Sequence, residues 1–111
     1  MPLIKLCELE EISDGDSREF VITESNPERN VFIVSNDDHI VAYENICPHI
    51  HAPLNWMPDE FLSMDKDYIQ CVNHGALFEI DTGHCVYGPC SGQALQKISL
   101  IIENGNIYAD L

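Results

Sequence analysis

Basic residues are scarce in this sequence. Lys and Arg together number 5, against 19 Asp and Glu, and the formal net charge of the 111 residues is -14 at pH 7. A surface this acidic repels phosphate backbones and anionic lipids, which argues against nucleic-acid binding. The charge either serves solubility alone or also steers a partner with a basic patch towards the protein.

Long apolar runs are also missing. The N-terminal sequence, which starts with residues 1–8, shows neither the pattern of a secretory signal nor the run of about 18 apolar residues that a membrane span needs. We therefore expect a cytoplasmic protein with no membrane segment. In that reducing compartment, the five cysteines indicate metal or redox chemistry more than a disulfide framework, and their odd number agrees.

Sustained helical periodicity is absent, and the nearest candidate, residues 58–64, is at most one or two turns. Short apolar runs between turn signals instead predict strands at 19–23, 31–34 and 40–43. Turns are predicted at 36–38, 81–83 and 104–105. The last of these, Asn-Gly, is a strong hairpin signal. The pattern predicts an all-β fold of sandwich or barrel type.

Two cysteine–histidine pairs carry most of the functional information. Cys47 and His49 flank a proline, and Cys71 and His74 follow later, each pair in a loop after an apolar strand. Such spacing lets both side chains of a pair reach one small inorganic centre. Ligation by two cysteines and two histidines fits either a tetrahedral structural zinc or a Rieske-type cluster, in which two histidines replace two cysteines on one iron.

The residues around these pairs separate the two alternatives, because the sequence resembles the Rieske ferredoxins. Residues 47–54 resemble the first cluster loop of that family, residues 71–78 resemble the second, and residues 88–90 resemble the proline-containing loop that covers the cluster. The sequence departs from the family in having His51 where glycine is frequent, and in a spacer between the loops that is a few residues longer than usual.

The resemblance implies one 2Fe-2S cluster with divided ligation. Cys47 and Cys71 would bind one iron as thiolates, while His49 and His74 would bind the other through one ring nitrogen each. With neutral imidazoles in place of two thiolates, the oxidised centre carries no net charge. Its potential therefore lies above that of an all-cysteine cluster.

The resemblance also implies residues that surround the cluster without binding it: His51, Gly75, Ala76, Phe78, Gly88 and Pro89. His51 is a loop histidine, a proton relay or a third ligand, and the first is favoured. Gly75 would aim its N–H towards sulfur. High-potential relatives use a serine and a tyrosine hydroxyl where this sequence has Ala76 and Phe78, and a disulfide where it has Ala52 and Asn73, which implies a low potential.

The implied fold is a Rieske-like antiparallel β sandwich with a cluster-binding subdomain formed by two loops. We expect one domain over 1–111, with the cluster-binding part at about 45–90. The implied function is that of a monomeric, soluble one-electron carrier, not an enzyme, between a flavin-dependent reductase and a terminal oxygenase. The alternatives are a small Rieske-like subunit of another redox enzyme, such as nitrite reductase, and a structural zinc module for protein interaction.

The remaining cysteines and histidines have plainer interpretations. Cys85 and Cys90 are either a disulfide, extra ligands or small packing residues, and the reducing compartment favours packing. Cys7 has no evident partner in the sequence, which favours a structural role. His39 and His84 lie at turns, and we expect both to be exposed.

Overall fold

Nine β-strands dominate the computed structural model, which describes residues 3–23, 28–36, 39–48, 53–55, 59–64, 66–72, 75–88 and 92–110. The strands, in chain order, are β1 (Leu3–Glu8), β2 (Ser17–Ile22), β3 (Arg29–Asn36), β4 (His39–Glu44), β5 (Tyr68–Gln70), β6 (Leu77–Glu79), β7 (Cys85–Tyr87), β8 (Lys97–Glu103) and β9 (Asn106–Asp110). Within those ranges the one helical element is a 3-10 turn at Leu9–Glu11. The all-β prediction is confirmed.

The strands form a six-stranded sheet, in the order β1-β9-β8-β4-β3-β2, and a three-stranded sheet, in the order β5-β6-β7. Every pairing is antiparallel. The pairing of β4 with β8 consists of Ala42 with Ile98 and Tyr43 with Lys97 alone. This short seam divides the larger sheet into two halves that pack face to face, as in a sandwich.

Strand β3 is buried on both faces, and its side chains alternate between two hydrophobic cores. Val31 and Ile33 point into a core between the two halves of the larger sheet, which also contains residues of β1, β4, β8 and β9. Phe32 and Val34 point the other way, into a core that the smaller sheet closes. All four of these side chains are fully buried, so β3 is the wall that the two cores share.

The strands predicted at 19–23, 31–34 and 40–43 correspond to β2, β3 and β4. For the turn predicted at 36–38, residues 37 and 38 lie outside the described residues, but Asn36 pairs directly with His39 across it. The region 58–64, which the sequence analysis names as the nearest helical candidate, is not helical over the described residues 59–64. These residues are irregular, and Leu62 forms an isolated bridge to Ile69. The fold buries Phe61 there, and bridging to a strand competes with helical pairing.

Both hairpins predicted from glycine-containing turns are present. Asn104 and Gly105 have φ angles of 53° and 77°, the left-handed pair that a type I′ turn requires. Gly83, with φ of 76°, joins β6 to β7, and a Cβ there would lie 2.7 Å from Cε1 of Tyr43. The hairpin therefore packs directly on the Tyr43 ring because residue 83 has no side chain.

Tyr43 connects the two sheets. It lies in β4 of the larger sheet, and its hydroxyl donates a hydrogen bond of 2.5 Å to the carbonyl oxygen of Ile80, beyond the end of β6. Burial raises the pKa of the Tyr43 phenol to about 12, with a smaller contribution from the charge of Asp81. The hydroxyl is thus a neutral donor inside the core at ordinary pH.

The spacer between the two predicted cluster loops contacts β2, one of the two edge strands of the larger sheet. Asp59, at φ of 65°, accepts the backbone N–H of Glu19 at 2.7 Å with its carboxylate and the hydroxyl of Ser17 at 2.6 Å with its carbonyl. The ring of Phe61 stacks on Phe32, with 4.1 Å between centroids. Polar and apolar contacts together fasten the spacer to the sheet.

Across the described ranges, the protein has no helix with the length and apolar character needed to traverse a bilayer.

Candidate metal centre

Cys47 and Cys71 are brought into the same core. Each is 1% exposed, and both belong to the hydrophobic cluster between the larger and the smaller sheet. His49, His74, His51 and Pro89 lie outside the described residues, so the histidine half of the ligand set remains a prediction. Among the described residues alone, no group of three or more His, Cys, Asp or Glu is placed to hold a metal.

The second loop is closed by backbone hydrogen bonds around Cys71. The N–H of Cys71 donates to the carbonyl oxygen of Ala76 at 2.9 Å, which extends the β5–β6 pairing by one step. Its carbonyl oxygen accepts the N–H of Gly75 at 2.9 Å, so the expectation that this N–H points towards sulfur is wrong: it closes the turn of the loop instead. Gly75 has φ of 70°, and a Cβ there would meet no atom within 4 Å. Glycine is favoured at this position by its backbone conformation and not by lack of space.

Gly88, in the third predicted segment, makes a close backbone approach to the second loop. A Cβ at this position would lie 2.8 Å from the Cα of Ala76 and 3.1 Å from its Cβ. No side chain can occupy that gap without moving backbone. Gly88 therefore packs directly on Ala76 of the second loop, while the covering role that the resemblance implies for Pro89 and Cys90 lies outside the described residues and stays a prediction.

The first loop is tied at its base by Asn45, a residue that the sequence analysis did not single out. Asn45 is 2% exposed, and its Oδ1 accepts the backbone N–H of Leu54 at 2.8 Å. Because Asn45 precedes Cys47 by two positions and Leu54 lies on the far side of the loop, this bond closes the loop. In the sequence, Asn45 is visible only as an asparagine directly after an apolar strand, a pattern that ordinarily indicates a turn.

A backbone hydrogen bond links the two loops. The N–H of Val72, next to Cys71, donates to the carbonyl oxygen of Leu54 at 2.8 Å. Leu54 is fully buried, so the bond is shielded from water and holds the second loop against the end of the first.

The surroundings fit a 2Fe-2S centre. Ala76 and Phe78 are fully buried and belong to the same cluster as Cys47 and Cys71. Two cysteine sulfurs on linked loops, enclosed by apolar side chains, are what the thiolate half of a Rieske ligand set would need, and the apolar surroundings would supply the dry shell that tunes such a centre. Ala76 and Phe78 carry no hydroxyl that would donate a hydrogen bond to a cluster sulfur.

The other cysteines are packing residues where the structure describes them. Cys7 is buried in the core between the halves of the larger sheet, and this burial raises its pKa. Cys85 is buried, and its thiol donates to the carbonyl oxygen of Tyr87 at 3.2 Å; Cys90 lies outside the described residues. His39 and His84 are exposed, as predicted.

A comparison with protein-family models gives a match over residues 3–104 to the family described as Rieske [2Fe-2S] domain. Among curated proteins, the ferredoxin component of a p-cumate 2,3-dioxygenase system from Pseudomonas putida is 28% identical over 109 residues, which covers 98% of this chain and 86% of that relative.

Solved structures with the same fold include two ferredoxins. One belongs to the carbazole 1,9a-dioxygenase of Nocardioides aromaticivorans IC177, with a TM-score of 0.76 at 19% identity, covering 98% of this chain and 97% of that one. The other is from Sphingomonas yanoikuyae B1, with a TM-score of 0.76 at 22% identity and 99% of both chains covered. A complex of reduced oxygenase and oxidised ferredoxin from carbazole 1,9a-dioxygenase also matches, with a TM-score of 0.76 at 22% identity over 96% of this chain and 91% of that one.

Proposed function

Because the chain belongs to the Rieske [2Fe-2S] domain family, we propose that it is a one-electron carrier, which receives electrons from a flavin-dependent reductase and passes them to a terminal oxygenase. It transforms no substrate of its own. The observation that carries the proposal is the placement of Cys47 and Cys71 in one buried cluster, on two loops joined by the Leu54–Val72 hydrogen bond.

In this proposal Cys47 and Cys71 hold one iron and His49 and His74 the other. The cluster, when bound, would supply reversible one-electron redox chemistry. The chain's own contribution is to exclude water from the sulfur side through Ala76 and the other apolar side chains of the core, which are fully buried.

The centre would lie close beneath the protein surface. Ile46 and Val72 are the neighbours of the two buried cysteines, and they are 41% and 40% exposed. A site whose ligands are one residue from solvent favours electron exchange with a docked protein over the binding of a substrate in a deep pocket.

Charge supports a protein partner with a basic surface. Three of the five cationic side chains are already in ion pairs with acids of the same chain: Lys5 with Glu8, Arg18 with Glu11 and Arg29 with Glu44. A domain with a net charge of -14 attracts a basic docking patch over distances that salt screens beyond about 8 Å at physiological ionic strength.

We also propose that residues 1–111 form one domain, with its cluster-binding part at about 45–90, and that it acts as a cytoplasmic monomer. The sharing of β3 by both cores supports the single domain, since neither core is complete without that strand.

The test begins with the purified protein and its metal content. We expect two irons and two acid-labile sulfides per chain. Mixed with NADH and a flavin-dependent ferredoxin reductase, the protein should be reduced. In stopped flow, it should be reoxidised by a Rieske terminal oxygenase at a rate that falls as salt is raised.

One zinc per chain without sulfide would refute the cluster and favour a structural zinc module. A bound cluster that the reductase reduces but that no oxygenase reoxidises would refute the carrier role and leave the cofactor assignment standing. Reoxidation rates that stay flat or rise with salt would contradict docking by charge attraction.

A further inference from the structure

A network of polar side chains lies at the base of the first cluster loop, with the buried Asn45 at its centre. Beyond its bond to Leu54, Asn45 donates through Nδ2 to Oδ1 of Asn55 at 3.0 Å and to the Glu19 carboxylate at 3.4 Å. The same carboxylate accepts Nδ2 of Asn55 at 3.0 Å and Nδ2 of Asn30 at 2.7 Å. Three asparagine amides therefore converge on one carboxylate.

This arrangement allows Asn45 a single orientation. Its Oδ1 faces the N–H of Leu54, and its Nδ2 faces the oxygens of Asn55 and Glu19. Rotating the amide by 180° would set donor against donor at Leu54 and acceptor against acceptor at Glu19. With 2% of Asn45 exposed, solvent cannot compensate for such a mismatch.

The network spans both cluster loops through Leu54. Leu54 gives its N–H to Asn45 and receives the N–H of Val72 on its carbonyl oxygen, each at 2.8 Å. A continuous chain of hydrogen bonds thus runs from the residue two positions before Cys47 to the residue directly after Cys71.

We propose that Asn45, oriented by the Glu19 carboxylate, is a positioning residue for the cluster, which sets the spacing of Cys47 and Cys71 and slows the loss of the iron centre. The inference rests on the proposed function only in taking those cysteines as ligands. Glu19 comes from β2, which is separated from β4 by β3 in the larger sheet, so a strand that carries no proposed ligand imposes the arrangement of the first loop.

The experiment uses the holoprotein and three single variants. Asn45→Asp keeps the shape of the side chain but replaces the amide donors with a second carboxylate facing Glu19. Glu19→Gln keeps the shape and removes the charge. The matched control is Glu44→Gln, which makes the same chemical change next to Asn45, but at a carboxylate whose partner is Arg29 at 2.6 Å and not a loop residue.

Three quantities are measured on each variant. The rate of bleaching of the visible absorbance under excess iron chelator reports loss of the cluster. The visible circular dichroism and the reduction potential report its geometry and surroundings. The unfolding midpoint in urea reports stability, so that a change in the cluster can be separated from a general loss of stability.

We expect Asn45→Asp to lose its cluster about tenfold to a hundredfold faster than the wild type. This is the size of effect expected when one or two buried hydrogen bonds are left unsatisfied. Glu19→Gln should show a smaller acceleration with altered circular dichroism. Glu44→Gln should unfold at lower urea but keep the wild-type spectrum and a release rate within about twofold of wild type, because its ion pair lies outside the network.

The double variant Asn45→Asp with Glu19→Gln exchanges amide and carboxylate between the two positions, and it restores a donor–acceptor pair without changing net charge. It should lose the cluster more slowly than Asn45→Asp alone. Two results would overturn the inference. One is that Asn45→Asp and Glu19→Gln lose the cluster at the same rate as Glu44→Gln. The other is that the effects of the two substitutions on the rate of cluster loss are additive in the double variant.

If Asn45→Asp does not give a folded holoprotein, Glu19→Gln and the double variant decide by the same criteria. Failure of the inference differs from failure of the proposed function: a wild type that holds zinc or does not exchange electrons refutes the function, whereas a competent carrier with indifferent variants refutes only the role of Asn45.

Discussion

The two sheets differ in how they are held together. Strands of the larger sheet run from five to eight residues, and β3 pairs along most of its length with a neighbour on each side. Each strand of the smaller sheet has three residues. Isolated hairpins of that size are marginal in water, so the smaller sheet depends on contacts from outside it.

Those outside contacts are the hydrophobic core shared with the larger sheet and a set of specific contacts. Tyr43 reaches across from β4 to Ile80 and packs on Gly83, while the Leu54–Val72 bond joins the loops. The smaller sheet, from which the second proposed cluster loop emerges, is thus a dependent structure: the larger sheet stabilises it, and a bound centre would stabilise it further.

Removing a proposed histidine ligand should affect the smaller sheet alone. We expect His74→Ala to abolish the cluster, because the loops are ordered in part by their metal centre. Hydrogen exchange followed by mass spectrometry should then show loss of protection in β5, β6 and β7, with β3 and β4 still protected.

The control is His84→Ala, an exposed histidine next to β7, which should leave both the cluster and the exchange pattern unchanged. An intact cluster with an unaltered visible spectrum in His74→Ala would show that the ligand assignment is wrong.

Filling the contact between Tyr43 and the β6–β7 hairpin should cost more than backbone strain alone. Gly83→Ala and Gly105→Ala introduce the same methyl group at φ of 76° and 77°, but only the first meets Tyr43. We expect about 1–2 kcal/mol of lost unfolding free energy from the conformation in both, and about 1–3 kcal/mol more in Gly83→Ala from overpacking. Urea unfolding measures both, and equal losses would contradict a tight contact between the sheets.

Alkaline pH should weaken the link between the sheets. Burial raises the pKa of the Tyr43 phenol in the folded protein to about 12, from the usual tyrosine value of 10.0. Because the pKa is higher in the folded than in the unfolded protein, the stabilisation that the protonated Tyr43 hydroxyl gives to the fold is complete below about pH 10. It is lost as the pH rises towards 12. Tyr43→Phe should remove this pH dependence of stability. It should also lower the unfolding free energy at neutral pH by about 1 kcal/mol, the value of one hydrogen bond. Urea midpoints between pH 8 and 12 test it, and parallel curves for the two proteins would refute it.

The potential should respond to hydroxyls in the core of the smaller sheet. We expect a wild-type value near the low end of the Rieske range, roughly -150 mV, since neither Ala76 nor Phe78 donates a hydrogen bond. Ala76→Ser with Phe78→Tyr should raise the potential if both hydroxyls reach sulfur, because donors draw negative charge from it. Voltammetry at one pH checks this, with Ala94→Ser, at an exposed position, as control; a wild-type value well above zero contradicts the low potential.

Much of the fold was predictable because its strongest signals are local. The apolar runs at 19–23, 31–34 and 40–43 and the Asn104-Gly105 turn are short-range patterns, and each has its counterpart in β2, β3, β4 and the β8–β9 hairpin. β1 and β5 were not predicted. A shift of register between Lys5 and Cys7 interrupts β1, and β5 has three residues, too few for alternation to be recognised.

The site was predictable to the extent that it is a motif. The spacing of Cys47 and Cys71 with their neighbours marks the loops in the sequence. Asn45 and its partner Glu19 belong to no such motif: they are separated along the chain and meet only after β2 and β3 pair. Polar residues at strand ends ordinarily indicate turns, so only the packed structure distinguishes a buried asparagine from an exposed one.

The contact of Asp59 with β2 has a consequence for the behaviour of the protein in concentrated solution. An outermost strand offers unpaired backbone groups to any other chain, and this is a common route to aggregation and fibril growth. Here Asp59 takes up the N–H of Glu19 and the hydroxyl of Ser17, and it brings a negative charge to the same edge. The long spacer therefore covers part of the edge of β2 and hinders its pairing with other chains, so shortening the spacer should promote aggregation.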